Sequence, residues 1–371
     1  KPIKLVIFAI KGDRDLVTES EYASVIQAFN SFFKNEARFD PTKLYKRGLP
    51  QPVNLKRDVI STMTAYSATN KLNGTRMIGI VVDGELFVIN MVGRVEKIIS
   101  DVPSAQTGKI LDQGLHQFDN TVFDSEFFRE KVYCFDLLFD KGRDVRSKNL
   151  DERLKLLQNI VTKINNPNVT IKEFFMSGDL HADVLSVFGK MASYPPDDND
   201  GIIFTPITEA YNNTHIYKWK PPHMLTIDFL ATSIGENKYI LQVKDKQDKL
   251  VVFSPSGFSG TVTSMEKLEG VGEYRWDGST FILVRARPDK EVPNFIDIAM
   301  DVWKDIQNPL LEAELLDLFS VQETDRDSIR KYHNSIKRDL ISKYLAGRSV
   351  LDLGAGKGGD LAKYQEAKIT A

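Results

Sequence analysis

The apolar positions of this 371-residue chain change rhythm several times along its length. An apolar run from Ile3 to Ile10 predicts a strand, and apolar side chains near helical spacing predict a helix from Glu19 to Phe33. Leu49-Pro50-Gln51-Pro52 predicts an extended crossing between elements. From 77 to 140 the pattern is β-rich. Met77–Val82 and Glu85–Asn90 are joined by Asp83-Gly84, a two-residue hairpin signal, and Thr121–Phe128 and Lys131–Phe139 predict the next pair of strands. Helical spacing returns over Leu150–Val161 and Asp179–Lys190, with a strand at Val169–Phe174 between them. The polar turn Pro195 to Asp200 then leads into a strand at Gly201–Thr205. After Pro221-Pro222 the texture shortens to the β segments Thr226–Thr232, Lys238–Val243, Lys249–Phe253 and Phe281–Arg285, with glycine-rich turns between them. That spacing suits a small barrel. From Phe295 the chain reads as helical again, and Ser349 to Asp360 reads as strand, glycine loop and helix start. No internal repeat or low-complexity tract is present.

Composition narrows the class. With 42% hydrophobic and 27% charged residues, the chain has the balance of an ordinary globular protein, and its length predicts two or three domains at about 100–200 residues each. No apolar run approaches the roughly 20 residues of a membrane span. The first eleven residues are too short and too charged for an export signal, so an internal fragment of a longer protein is expected. Cys134, the single cysteine, has no intramolecular partner; a reducing compartment is expected and a thiol mechanism is not. The five histidines lack ligand spacing, which argues against zinc. A net charge of −2 means that any contact with nucleic acid must come from local basic stretches.

The candidate chemistry begins at Lys71-Leu72-Asn73-Gly74-Thr75-Arg76, which alone reads as a surface turn. Downstream of it come, in order, Asp124-Ser125-Glu126, Phe135-Asp136, Asp200-Gly201-Ile202-Ile203, Lys218-Trp219-Lys220 and Arg285-Ala286-Arg287-Pro288-Asp289-Lys290. A lysine attacks only as the neutral amine, so Lys71 needs desolvation or neighbouring positive charge. Lys218 and Lys220, two apart on a strand, share a face and are expected to point toward Lys71, lowering its pKa and neutralising phosphate oxygens. Glu126 and Asp200 stand next to apolar strand residues, where a carboxylate holds Mg²⁺ or Mn²⁺ or accepts ribose hydroxyls. Arg76 and Arg94 suit ribose and phosphate, and Phe135 offers a face for a purine.

Together these residues resemble the covalent nucleotidyltransferase superfamily of mRNA capping enzymes and ATP-dependent ligases. The resemblance covers about residues 60–371 and implies that Lys71 is the nucleophile, attacking the α-phosphate of GTP and holding GMP as a phosphoamide. It implies ribose and phosphate contacts for Arg76 and Arg94, and a ribose or metal contact for Glu126. Phe135 and Ile203 would sandwich the base, Lys172 would read the guanine carbonyl, and Lys218 and Lys220 would contact the α-phosphate region. Asp228 matches the acid that opens the family's OB domain. Arg287, Asp289 and Lys290 match the motif that docks on the β and γ phosphates when that domain closes. RxRxDK followed by Pro293-Asn294 is a capping-type ending, and Lys218-Trp219-Lys220-Pro221-Pro222 leading to Thr226-Ile227-Asp228-Phe229 is capping-like too. Arg330-Lys331-Tyr332-His333-Asn334, Ile336-Lys337 and the 352–360 glycine loop resemble the entry to a cap guanine-N7 methyltransferase. There Asp352, Gly354, Gly356 and Lys357 would form a partial S-adenosylmethionine site. Both activities on one polypeptide is the arrangement of multifunctional capping enzymes in large cytoplasmic DNA viruses of the African swine fever type.

The implied fold is α+β. It comprises an N-terminal segment (1–60), a nucleotidyltransferase domain with antiparallel sheets and flanking helices (61–225) and an OB-fold β-barrel (226–300). A helical linker (301–345) and a truncated Rossmann-like start (346–371) complete it. The implied partners are GTP, the 5′-diphosphate end of RNA and a divalent metal, with no membrane and a location in host cytoplasm or virion. An upstream triphosphatase and a downstream methyltransferase domain would share the polypeptide. The last residues stop inside the first methyltransferase helix, so no methylation is expected of this fragment, and residues 346–371 are expected to lean on another part of the chain or on a neighbouring molecule. The chain departs from the family at Asn73, where Asp is usual, and at Ser125, where Gly is usual. Asparagine keeps shape and hydrogen bonding, and activity is expected to survive. An adenylyltransferase of the polynucleotide-ligase type and a catalytically silent nucleotide-binding scaffold remain the alternatives.

Overall fold

The computed structural model describes residues 17–33, 49–90, 93–98, 115–195, 198–213, 215–268, 270–288, 290–320, 323–350 and 360–369. The strand expected at Ile3–Ile10, together with Asp289, Asp352, Gly354, Gly356 and Lys357, lies outside them. The chain forms two compact units, Lys1–Glu314 and Leu315–Ala371. The first is α+β, built on antiparallel sheets.

Helix α1 (Glu19–Phe32) starts on a reciprocal cap in which the Thr18 hydroxyl accepts from the Glu21 N–H and the Thr18 N–H donates to the Glu21 carboxylate. β1 (Val53–Asn54), α2 (Arg57–Ile60) and β2 (Tyr66–Leu72) come after it. A seven-stranded sheet is next, from β3 (Thr75–Val82), β4 (Glu85–Asn90), β5 (Val95–Ile98), β6 (Val122–Phe128), β7 (Lys131–Asp140), β8 (Arg143–Asp144) and β9 (Val169–Ile171). The β3–β4 turn sits where the sequence signals it, with Asp83 and Gly84 at φ 52° and 74° and Val82 opposite Glu85.

Alternation along these strands sends apolar residues to both faces, and each face is covered. Ile78, Ile80, Phe87 and Ile89 pack with Val25 and Phe29 of α1. Val81, Leu86, Val88 and Phe123 pack on the other side with Leu150, Leu157 and Ile160 of α3 (Leu150–Ile164). Burying each such side chain contributes about 2 kcal/mol relative to exposure. Asn149 caps the start of α3, and Asn165, at φ 49°, ends it in the left-handed region.

After α4 (Leu180–Met191), β10 (Asn199–Pro206) and β11 (Tyr217–Trp219) complete a four-stranded sheet in the order β1-β11-β10-β2. The sequence pattern places Asn199 and Asp200 in a turn, whereas both belong to β10, which pairs Asn199 with Leu72 across a register shift before Ile202. Their polarity hides the strand; pairing with β2 overrides it.

The third sheet has six strands: β12 (Thr226–Gly235), β13 (Lys238–Lys244), β14 (Leu250–Val252), β15 (Thr261–Thr263), β16 (Val271–Trp276) and β17 (Phe281–Ala286). The pattern misses β15 and β16, although β16 is central, lying between β12 and β17. Gly272 breaks its signal, yet a Cβ there would meet Leu283 Cδ1 at 2.6 Å and the Tyr274 ring at 2.8 Å. Helix α5 (Ile296–Gln307) covers this sheet with Ala299 and Trp303, against Phe229, Phe253 and Phe281. Its other side is bound to the four-stranded sheet and the turn after it. Asp305 accepts from Asn54 Nδ2 (2.7 Å) and Lys56 Nζ (2.6 Å), and Arg57 pairs with Glu314 just beyond α5.

α6 (Glu312–Ser320) reaches into the second unit, which contains α7 (Glu323–Leu345) and α8 (Leu361–Glu366). Lys337 pairs with Asp360 at 2.9 Å and Arg338 with Glu366 at 2.6 Å, so α8 leans on α7. Among the described residues no helix is long and apolar enough to cross a membrane.

Candidate active site

β2 and β3 belong to different sheets, so Asn73-Gly74 is where the chain crosses from the four-stranded sheet to the seven-stranded one. That crossing puts Lys71 and Arg76, five positions apart, on two walls of one cavity of about 210 Å³. Lys71, Thr69, Ile203 and Thr205 come from the four-stranded sheet. Arg76, Asp124, Glu126, Phe135 and Asp136 come from the seven-stranded one, with Lys172 just beyond β9 and Pro50-Gln51-Pro52 at the edge. A larger, more open hollow of about 940 Å³ lies along α3 and β9, but Lys172 and Glu173 are its only charged lining residues. The smaller cavity is therefore the chemical candidate.

The crossing requires Gly74. A Cβ at that position would lie 2.6 Å from Glu126 Cγ and 2.8 Å from the Phe127 carbonyl oxygen. The Asn73 N–H donates to the Asp198 carbonyl (2.9 Å), a backbone bond that its side chain does not make.

Two carboxylates organise the cations. Asp200 accepts from Lys71 Nζ and Lys220 Nζ, each at 2.6 Å. Burial pushes its carboxyl up, but the two ammoniums outweigh this and hold it below the ordinary carboxylate range. Glu126 pairs with Lys172 Nζ at 2.9 Å and accepts the Gly74 N–H at 3.3 Å. Lys172 Nζ stands 5.9 Å from the Phe135 ring centroid.

Lys218 lines a separate hollow of about 50 Å³ together with Lys220. Burial first, then Lys220, Lys71 and more weakly Lys290, push its ammonium down to about 8, with Asp200 opposing. A lysine lowered on folding opposes the folded state while it is charged. That cost is full below pH 8 and fades as pH rises from about 8 toward the ordinary value of about 10.4. Urea midpoints measured between pH 7.5 and 10 should thus contain a rising component, on the order of 2 kcal/mol, that Lys218→Met removes. An unchanged slope in that variant would contradict the assignment.

Several expected site residues do not line this cavity: Asp200, Lys218 and Lys220 stand beside it through their contacts with Lys71 and one another, and Arg94, Asp228, Arg287 and Lys290 make their contacts elsewhere. Arg94 is half exposed and pairs with Glu96 at 3.4 Å, and it does not line the cavity. The hairpin end that carries it points its charge along β5. Asp228, buried in the third sheet, accepts from Arg287 Nη1 at 3.2 Å and from Lys290 Nζ, so the basic motif is engaged by its own sheet. Among the described residues no group of three or more His, Cys, Asp or Glu could hold a metal ion.

Two buried residues carry no sequence signal for a site: Tyr211, in the short 3-10 helix Tyr211–Asn213, and Arg153, in α3. Arg153 pairs with Asp136 at 2.6 Å beneath the cavity. Asp124 stands inside a motif that stood out, yet only the fold reveals its task. It is fully buried and binds Arg76 through both oxygens.

Fold and site define a cavity of about 210 Å³ between two sheets with a lysine at its wall, and comparison with known proteins shows what the chain is similar to. Residues 321–371 match the sequence model of the mRNA (guanine-N(7))-methyltransferase domain. Over 87% of this chain and 44% of its own, the mRNA-capping enzyme of African swine fever virus (isolate Pig/Kenya/KEN-50/1950) is 24% identical. The mRNA-capping enzyme of Danio rerio is 26% identical over 73% of this chain and 50% of its own. The chain spans about half the length of the curated relatives it matches. Among solved structures, a mycobacterial DNA ligase D complexed with ATP and MES aligns with a TM-score of 0.38 at 15% identity. That alignment covers 65% of this chain and 95% of the other. Over most of its length, this chain has homologues named mRNA-capping enzyme.

Proposed function

We propose that this chain carries the guanylyltransferase activity of a capping enzyme, transferring GMP from GTP through Lys71 to the 5′-diphosphate end of RNA. The observation that carries this reading is the convergence of Lys71, Arg76, Glu126, Phe135, Lys172 and Ile203 on one cavity, from two sheets and several separate stretches of sequence. The relatives named mRNA-capping enzyme support the same reading.

In the first step the neutral Lys71 amine attacks the α-phosphorus of GTP. The bond from that phosphorus to the β-phosphate oxygen breaks, and pyrophosphate leaves with the electron pair. The nitrogen gives up one of its two protons to solvent and holds GMP as a phosphoamide. In the second step a terminal oxygen of the RNA diphosphate attacks the same phosphorus, the N–P bond breaks, and Lys71 recovers its proton. Asp200, 2.6 Å from Lys71, is held too acidic to serve as an effective base; its role is to orient the ammonium until nucleotide arrives. Lys220 and Lys218 supply positive charge toward the phosphates as Asp200 is drawn away.

Asp200 and Glu126 fit the one or two carboxylates with which proteins commonly bind Mg²⁺ or Mn²⁺ beside substrate phosphates. Bound there, the ion would supply charge neutralisation on the phosphate oxygens. Phosphate contacts by Arg287 and Lys290 require both side chains to leave Asp228, which makes closure of the third sheet a step of its own. Asp289 would join them, and in the full-length protein S-adenosylmethionine would be held in part by Asp352, Gly354, Gly356 and Lys357, within the region matched at 321–371.

Guanine is favoured over adenine by Lys172, whose ammonium beside Phe135 donates to a carbonyl oxygen and finds none on adenine. The test is incubation with α-labelled GTP or ATP and Mg²⁺ or Mn²⁺, followed by denaturing electrophoresis. Label from GTP alone is expected. Label from ATP would make the chain ligase-like, and label from neither would make it a silent scaffold.

A further inference from the structure

We infer that Tyr211 is a positioning residue, holding Arg76 in the one orientation in which it offers a donor to the nucleotide. The inference rests on the reading of the cavity as a GTP site. Arg76 has five N–H groups. Its Nε donates to Asp124 Oδ1 at 2.9 Å, and Nη2 donates to Asp124 Oδ2 and to Tyr211 Oη at 3.3 Å. Nη1 donates to the Pro50 carbonyl at 2.7 Å. The N–H of Nε, both of Nη2 and one of Nη1 are thereby engaged, and a single N–H on Nη1 remains for a ligand in the cavity that Arg76 lines.

Tyr211 locks this arrangement twice. Its hydroxyl accepts from Arg76 and donates to Asp124 Oδ2 at 2.7 Å, closing a three-membered ring of hydrogen bonds around a carboxylate that has no solvent exposure. The tyrosine is itself fixed, because its N–H donates to the Arg146 carbonyl (2.8 Å) and the Arg153 guanidinium stands 5.8 Å from its ring centroid. Without the hydroxyl, one N–H of Nη2 and one lone pair of Asp124 lose their partners, and the guanidinium is free to tilt toward Phe135, 5.8 Å away.

Tyr211→Phe keeps the ring and its packing. In the GTP-labelling reaction its KM is expected to rise roughly five- to tenfold, the size of one lost hydrogen bond to a charged group, with the maximal rate within about twofold. In an Arg76→Lys background, Tyr211→Phe is expected to add nothing, because the residue acts through the arginine. An unchanged KM, a loss confined to the maximal rate, or full additivity with Arg76→Lys would overturn the assignment. Should Tyr211→Phe not fold, replacement of Tyr211 by 4-aminophenylalanine, a weaker donor of the same shape, is expected to raise KM by a smaller factor. No rise there overturns the assignment equally. Wild-type protein that takes label from neither nucleotide overturns the reading of the site instead.

Discussion

Lys71→Ala is expected to abolish covalent label from GTP, lowering it on the order of 10³-fold or more, while the protein still folds and binds nucleotide. Binding survives because the other cavity contacts, Arg76, Glu126, Phe135 and Lys172, come from a different sheet and do not depend on the Lys71 side chain. Folding survives because the side chain lies in the cavity wall, about a quarter exposed, and forms no part of a core cluster. Lys71→Arg gives the sharper comparison. It keeps a cation beside Asp200 but has no neutral nitrogen near physiological pH, so it should bind GTP without forming the adduct. The measurement is labelled protein on a denaturing gel beside GTP affinity by calorimetry. Label retained in either variant would remove Lys71 from the mechanism.

Asp200→Asn should have the second largest effect, and it should be visible in stability as well as in chemistry. The carboxylate is largely buried and neutralises two ammoniums at once. Removing one partner from such a group leaves charge unpaired, and the cost is on the order of 3 kcal/mol. Its pH dependence has a definite sign. Because the folded carboxyl lies below its ordinary value, its contribution is fully present above about pH 4 and is lost as pH falls through the lower folded value. The wild-type protein should therefore show an acid limb in its denaturant midpoints that Asp200→Asn lacks. If Asp200 also holds the divalent ion, adduct formation should fall by about 10² even at a temperature where the variant is folded. A variant with normal labelling but reduced stability would leave Asp200 with a purely structural task.

Much of this site is legible in the sequence because its chemistry is written in short stretches. Lys71 and Arg76 stand within six residues, and strand periodicity together with the Asp83-Gly84 turn signal predicts the β3–β4 hairpin. Periodicity also finds α1, α3 and α4, since each buries one stripe against a sheet. It fails at Asn199-Asp200, where two polar residues join a strand because β2 is there to pair with them. It fails again at β16, where Gly272 weakens the local signal while neighbouring side chains fill the space its own would need. In both cases the deciding partner lies outside the local stretch that the pattern reads.

The sequence by itself determined which groups are available: a lysine beside a glycine turn, carboxylates, an aromatic face and paired lysines, each set by residue type and close spacing. Only the tertiary structure decided which of them work together. The placement of β2 and β3 in separate sheets sets Lys71 and Arg76 on different walls, and β10 brings Asp200 to Lys71 from 129 residues away. Arg94, held in the local β4–β5 turn, stays outside the cavity, while Tyr211 lines it. Spacing along a chain constrains neighbours within one element or hairpin, whereas the partner of a charge on a distant strand is fixed by which strands pair, as β10 pairs with β2.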